Sequence, residues 1–194
     1  MSKITAKQIA DWKKEHFAIY IITGENDEVG YVSFPTWLNW KLAITALNKS
    51  ENDFVESYLN NNWLGGDEAI KTNYGYFKKI KAQIDEVLEF ANISYERSGN
   101  FYDVIIKGSK EYDEGKVINL QLKSISREIE NIAERNAEKK PFSKNENVLK
   151  LLFLNESKTV FKEQLKDKNP YYYVPLLSVV EELHEKKILS IKKL

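Results

Sequence analysis

The two histidines, His16 and His184, are the first candidates for acid–base chemistry or metal binding in this sequence. Neither lies within metal-ligand spacing of the other or of an acidic pair. His16 falls at the end of a predicted helix and His184 lies in a Glu-rich helix, so we interpret both as solvated or capping residues. The chain has no cysteine, which excludes a thiolate nucleophile and a Cys-based zinc site, and no serine lies in a Gly-x-Ser-x-Gly setting. We therefore predict no catalytic residue, no bound metal and no cofactor.

The segment 60–71, with the sequence NNNWLGGDEAIK, is the most distinctive stretch of the chain. It lacks the Lys-Ser/Thr that follows the glycines of a phosphate loop. Two glycines that can adopt positive φ, a preceding Trp-Leu and a following aspartate predict a corner where one helix stops and the next begins. We assign the integrity of this corner to Trp63, Gly65, Gly66 and Asp67.

Other residues of this segment allow a chemical and a structural interpretation. Asp67 and Glu68 could act as an acid pair, but adjacent acids after two glycines are more typical of a helix N-cap. The asparagines at 60–62 could hold a ligand through their amides, but such a run more often satisfies the free carbonyls at a helix end. The structural interpretation is favoured in both cases.

The aromatic residues raise the possibility of base stacking or of a protein interface. Trp37 and Trp40 keep helical spacing with leucine and isoleucine neighbours, which favours core packing over stacking on bases. Tyr171, Tyr172 and Tyr173 are consecutive and cannot all face one core, so we expect at least one to be exposed at a protein interface. The alternative is a loop that hydrogen bonds of the tyrosine hydroxyls hold in place.

Residues 1–92 contain the elements that would position the corner. Thr5 and Gln8 form a capping-box pattern that predicts a helix from Ala6 to Glu15. A hairpin with strands at 17–23 and 29–34 follows, because β-branched and aromatic residues flank a turn at 24–28. Helical spacing then predicts a helix at 37–48, one that begins near 54 and enters the corner, and one at 74–90.

Residues 93–194 show a similar order of patterns. Strands are predicted at 101–107 and 116–120 on either side of a turn, followed by a long helix to Lys139 with Leu122, Ile125, Ile129 and Ile132 on one face. Further helices are expected up to Leu154, at 157–168 and at 171–188.

The fold class that these patterns indicate is α+β, mostly helical, with one or two β-hairpins. We expect two modules, 1–92 and 93–194, each of about the commonest domain size. Gly24 aligns with Gly108, Gly30 with Gly115, and segment 73–76 with 169–172. Duplication of a hairpin-plus-three-helix module is one interpretation, and two unrelated halves are the other.

Composition limits the partners that the protein can have. Lysine plus arginine and aspartate plus glutamate number 29 each, so the net charge is zero and bulk attraction to nucleic acid is absent. The N-terminal sequence has no apolar signal segment, and no apolar run approaches the length of a membrane span. We expect a soluble product without a membrane or nucleic-acid partner.

The corner carries a resemblance to a protein family. The succession of a leucine, asparagines, Trp-Leu-Gly-Gly-Asp-Glu and Ile-Lys-Thr resembles small proteins of tailed phages and prophages of Bacteroidetes-type bacteria, a group similar to tail assembly chaperones. The resemblance covers about residues 4–90. Phe34 and Asn62 depart from the pattern, since a basic residue and a cysteine are typical at these places.

The resemblance implies a non-enzymatic function in virion assembly. Proteins similar to tail assembly chaperones self-associate and coat the tape measure protein, so the implied partners are tape measure, tail tube or neck proteins, or further copies of the chain. The implied location is the host bacterial cytoplasm. Two alternatives are a structural adaptor or lining protein that stays in the virion, and a host-directed binding module.

Overall fold

The fold described here is that of a computed structural model, which describes residues 4–110, 112–139, 142–165 and 169–185. It contains helices and two antiparallel sheets, which confirms the predicted α+β class. The chain divides into two compact units, Met1–Glu89 and Phe90–Leu194, so the division lies three residues before the boundary expected from the sequence.

The first unit places a three-stranded antiparallel sheet between helices. The strand order is β1-β2-β3. The elements are α1 (Ala6–Glu15), β1 (Ile19–Thr23), β2 (Val29–Ser33), α2 (Trp37–Leu47), α3 (Glu51–Asn62), β3 (Trp63–Gly66), α4 (Ala69–Thr72) and α5 (Tyr74–Val87).

The capping residues of the first unit explain where its helices begin. The Thr5 hydroxyl accepts from the Gln8 N–H at 3.2 Å and the Gln8 side chain accepts from the Thr5 N–H at 2.9 Å, which confirms the predicted capping box. Side chains of Thr36 and Ser50 cap α2 and α3 in the same way. The core that these elements enclose includes Val32, Phe54, Val55, Tyr58, Leu59, Ile70, Phe77, Ile80 and Ile84.

The second unit is a three-stranded meander with four helices among its described residues. The strand order is β4-β5-β6. The elements are β4 (Asn92–Ser98), β5 (Phe101–Lys107), β6 (Val117–Lys123), α6 (Arg127–Arg135), α7 (Ser143–Leu152), α8 (Asn155–Gln164) and α9 (Pro170–Glu185). One face of the sheet is buried through Val104, Ile106, Ile118, Leu120 and Leu122.

Two predictions for the second unit are wrong. The long helix through Leu122 does not form, because Ile118, Leu120 and Leu122 alternate as buried residues of strand β6 and the helix α6 begins at Arg127. Strand β4 was missed, since it is a mostly exposed edge strand whose apolar positions are Ile93 and Tyr95. The predicted ends at Lys168 and Ile188 lie outside the described residues.

The two units do not share one plan. In the first unit two helices separate β2 from β3, whereas β4, β5 and β6 follow one another directly. Gly30 lies within strand β2, but Gly115, which the sequence alignment placed opposite it, lies in a turn at φ +79°. The two units are therefore not copies of one hairpin-plus-three-helix module.

Candidate functional site

The Trp-Leu-Gly-Gly corner is a β-strand. Residues 63–66 form β3, which pairs antiparallel with β2 through Gly30–Gly66, Tyr31–Gly65 and Val32–Trp63. The prediction of a direct helix stop and restart is thus wrong. The α3 helix ends at Asn62, and the chain continues extended because the edge of the hairpin offers it a partner.

The glycines of this strand let two backbones approach closely. Gly66 has φ +120°, and a Cβ there would overlap the Val29 carbonyl oxygen and lie 2.8 Å from the Gly30 Cα. A Cβ on Gly30 would lie 2.5 to 2.6 Å from the ring of Trp63. The indole therefore packs directly over Gly30, where no other residue leaves room for it.

Asp67 joins the strand to the hairpin instead of capping the next helix. Its N–H donates to the Val29 carbonyl at 2.8 Å, and its carboxylate accepts from the Val29 N–H at 2.9 Å. The N-cap of α4 is Glu68, whose side chain makes no capping hydrogen bond. The predicted Asp67 cap is wrong, but Asp67 does hold the corner in place.

The asparagine run ends α3 as the sequence indicated. The amide groups of Asn61 and Asn62 donate to the carbonyls of Ser57 and Tyr58 at 2.7 and 2.8 Å. Asn39 of α2 donates to the Asn61 carbonyl at 2.8 Å and to the Asn62 side chain at 3.1 Å. The structural interpretation of these amides is confirmed, and Asn62 is buried by this network.

The aromatic predictions divide into one success and one failure. Trp37 and Trp40 are buried, and Trp40 packs edge-on against Phe54 at 6.3 Å, which confirms core packing. Tyr171, Tyr172 and Tyr173 are all buried, with exposed fractions of 0%, 3% and 1%, so the expected exposure at an interface is wrong. They form the first turn of α9, and each side chain contacts a different part of the second unit. Tyr171 packs against Tyr112, Tyr172 bonds to Asp113, and Tyr173 packs against Phe161.

The tyrosine hydroxyls hold the loop between β5 and β6. The Tyr171 hydroxyl accepts from the Ser109 N–H at 2.6 Å and donates to the Tyr112 carbonyl at 3.2 Å. The Tyr172 hydroxyl donates to the carboxylate of Asp113. The alternative interpretation is correct about the hydroxyl bonds, but the tyrosines lie in a helix, and the loop residues that they hold are Ser109, Tyr112 and Asp113.

Burial and hydrogen bonding shift the pKa values of the groups that join α9 to this loop and to α7. Burial raises the pKa of Tyr172, and the hydrogen bond to Asp113 raises it further. Burial acts to raise the pKa of Asp113 too, but hydrogen bonds from Tyr172 and Lys116 outweigh it and the pKa lies below its ordinary value. Burial is the main cause that raises the pKa of Tyr173, and the negative charge of Glu146 raises it further. These tyrosines are neutral structural donors at neutral pH.

Each histidine makes local contacts within its own unit. His16 is the C-cap of α1, where its N–H donates to the Trp12 carbonyl at 2.9 Å. His184 lies in α9, with Nδ1 3.0 Å from the Val180 carbonyl and Nε2 3.5 Å from the Glu130 carboxylate. Within the ranges that the structure describes, no group of three or more His, Cys, Asp or Glu could hold a metal ion.

Two surface features of the first unit were missed from the sequence. On α2, Leu38 is 64% exposed and Leu42 is 43% exposed, although Trp37, Trp40 and Ala43 of the same helix are buried. Along β1, a groove of about 430 Å³ separates the strand from α5. The available signals were that α2 carries apolar residues on opposite faces and that β1 is an apolar strand without a charged residue.

Comparisons with known families, proteins and structures identify no relative of this chain. No protein-family model matches the chain, and neither the curated proteins nor the solved structures contain a match. None of the helices in the described part of the chain combines the length and the apolar character that crossing a bilayer requires.

Proposed function

We propose that this protein is a non-enzymatic assembly factor that acts by protein–protein contact in building a phage tail or virion. Its partners are copies of itself and structural proteins such as the tape measure, tail tube or neck proteins. The resemblance of residues 4–90 to phage proteins similar to tail assembly chaperones supports the context. The observation that carries the contact is the exposed leucine pair of α2, Leu38 and Leu42.

These leucines lie one helical turn apart on the face opposite the buried tryptophans. Residues four apart on a helix are neighbours, so their side chains form one apolar surface. Eight of the eleven residues of α2 are apolar, and the polar ones are Asn39, Lys41 and Thr45. A helix with apolar residues on opposite faces is ordinarily covered on both, so the Leu38 face is suited to contact with another protein.

The size of this surface indicates a weak, exchangeable contact. The two exposed fractions together equal about one fully exposed leucine, whose burial stabilises by about 1.5–3 kcal/mol. Doubling this in a symmetric pair leaves it below or near the cost of association, which is about 4–15 kcal/mol. Additional polar contacts are then needed, and the complex forms at high concentration. This favours an assembly factor over a component retained in the particle.

Light scattering coupled to size-exclusion chromatography tests the proposal over about a hundredfold range of concentration. Wild-type protein should increase in mass with concentration, and Leu38→Glu with Leu42→Glu should remain monomeric. Leu151→Glu is the matched control, because Leu151 is 36% exposed and lies in the second unit. A wild-type monomer throughout the range contradicts the proposal, as does equal loss of association in the control.

A further inference from the structure

The outer edge of β1 presents backbone groups that no described element pairs. The strand order β1-β2-β3 makes β1 an edge. The Phe34 N–H donates to the Ala18 carbonyl at 2.8 Å, and the Gly24 N–H donates to the Glu28 carbonyl at 2.7 Å. Since alternate residues of an antiparallel pair exchange hydrogen bonds, Tyr20 and Ile22 bond to β2.

The intervening residues therefore point their peptide groups away from the sheet. These are Ile19, Ile21 and Thr23. Among the described residues, none outside β2 forms a hydrogen bond with the backbone groups that they point outward. Each presents an N–H donor and a C=O acceptor in the regular repeat of an extended strand. The complement to such a row is another extended backbone.

This edge lacks the features that ordinarily prevent pairing. Natural edge strands carry lysine, proline or a bulge. β1 has the sequence IYIIT, and its pairing with β2 is regular over all five residues. Ile21 is 62% exposed at the middle of the strand. The edge is therefore open to strand addition.

A groove beside the strand adds a place for side chains. It has a volume of about 430 Å³ and lies between β1 and α5, with Val32, Tyr58, Gln83, Ile84 and Glu86 in its lining besides β1 itself. A volume of a few hundred Å³ is typical of a ligand cleft. A strand laid along β1 would direct every second side chain into this groove.

The groove distinguishes between two occupants. A second copy pairing through its own β1 would present Tyr20 and Ile22 on this side, but Ile22 is 5% exposed and already belongs to the core of its own unit. Such a pair would leave both grooves unfilled, so the residues that line them would lack the dispersion contacts that a side chain in the groove provides. An extended segment of another protein has side chains free to fill the groove.

The direction of α5 places a carboxylate at one end of the groove. Lys79 pairs with Glu25, and the Tyr76 hydroxyl lies 3.0 Å from the Glu28 carboxylate, so the first half of α5 lies at the hairpin turn. Glu86 is two helical turns further on and thus lies toward the Ile19 end of β1. An antiparallel segment would place its C-terminal end near this carboxylate.

We infer that β1 and its groove bind an extended segment of a partner protein by strand addition, with apolar residues at every second position and a basic residue near the C-terminal end. None of the lining residues belongs to α2, so this site is separate from the leucine pair and does not depend on the proposed self-association.

The probe is a fluorescein-labelled peptide of alternating valine and threonine with a lysine at its C-terminal end, and binding to the full chain is measured by anisotropy. The matched control peptide carries N-methyl groups at the residues whose N–H groups would face β1. Loss of these donors should weaken binding at least about tenfold, since each hydrogen bond contributes about two- to tenfold in affinity and more than one is lost. Equal binding of both peptides overturns the inference.

Variants of the chain locate the site. Ile21→Pro removes an outward N–H without removing a bond to β2, and should weaken binding about tenfold, while Ile21→Val should leave it unchanged. Glu86→Gln should weaken the lysine peptide about two- to fivefold and leave a serine peptide unaffected. Tryptophan fluorescence checks that each variant is folded.

Two further outcomes separate this site from the contact through α2. Leu38→Glu with Leu42→Glu should bind the peptide like wild type, whatever it does to self-association. If the peptide does not bind and Ile21→Pro abolishes an increase of mass with concentration, β1 is the contact between copies and the inference is overturned.

Discussion

Substituting Gly66 by alanine should destabilise the first unit more than other single changes at its surface. A non-glycine residue at a φ of this kind costs about 1–3 kcal/mol. The added Cβ would overlap the Val29 carbonyl oxygen, so the strand must shift and weaken the 2.8 Å hydrogen bond from the Asp67 N–H to that oxygen, which costs about 1 kcal/mol more. We expect a total loss of about 2–4 kcal/mol, a large part of the stability of a small domain.

Tryptophan fluorescence during urea unfolding measures this loss in the first unit alone. All four tryptophans lie before residue 64, so they do not report on the second unit. The control is Gly75→Ala, which lies in the first turn of α5 without a positive φ and meets the side chain of Asn73 at 3.0 Å. We expect the control to change stability by less than about 1 kcal/mol, because the better helix propensity of alanine is offset by the adjustment that the Asn73 side chain must make.

A Gly66→Ala unfolding free energy equal to that of wild type would refute the description of the corner as a strand. It would mean that β3 does not approach β2 closely enough for the missing Cβ to matter. An equal loss in Gly75→Ala would show a general sensitivity to added methyl groups and would refute the argument from φ and overlap.

Two further substitutions test the contacts that hold each unit together. Asp67→Ala should cost about 1.5–3 kcal/mol in the same fluorescence assay, because it removes the charge-assisted bond from the Val29 N–H. The control Glu68→Ala should cost less than about 0.5 kcal/mol, because the Glu68 side chain caps no helix. Equal effects would contradict the conclusion that Asp67 holds the corner in place. Tyr172→Phe should cost the second unit about 1–2 kcal/mol at neutral pH through loss of the bond to Asp113, measured by circular dichroism with Tyr102→Phe as control. Since the folded-state pKa of Asp113 is lowered, its stabilisation is present above about pH 4 and lost as the pH falls below that value, so the difference from wild type should narrow there; a constant difference would refute the pairing.

The sequence predicted the elements whose causes are local. Thr5 and Gln8 lie three residues apart, and their capping box alone sets the start of α1. The asparagines of 61–62 bond to carbonyls four residues earlier, within the same helix. Such contacts need no knowledge of the rest of the fold.

The errors concern residues whose conformation depends on distant partners. Segment 63–66 is a strand because β2, more than 30 residues earlier, offers it an edge, and local turn chemistry does not report this. Leu122 and Ile129 keep helical spacing by coincidence across a strand-to-helix boundary. The expected exposure of a tyrosine at 171–173 is wrong because the loop that covers them lies some 60 residues earlier in the sequence, where local patterns do not reveal it.

The surfaces proposed for binding could not be ranked from sequence for the same reason. Leu38 and Trp37 are adjacent and both apolar, but only the tertiary packing decides which of them is buried. The open edge of β1 depends on β3 having paired on the other side of β2. Both proposed contact surfaces therefore depend on the tertiary fold, and local sequence patterns do not locate them.

Methyl-labelled NMR spectra of the full chain at low and high concentration test the proposed contact most directly. We expect the methyl signals of Leu38 and Leu42 to shift with concentration, while those of the buried Leu152 and Leu176 stay in place. Spectra that are identical at both concentrations, or shifts at residues other than the leucine pair and its neighbours, would contradict a function that rests on this face of α2.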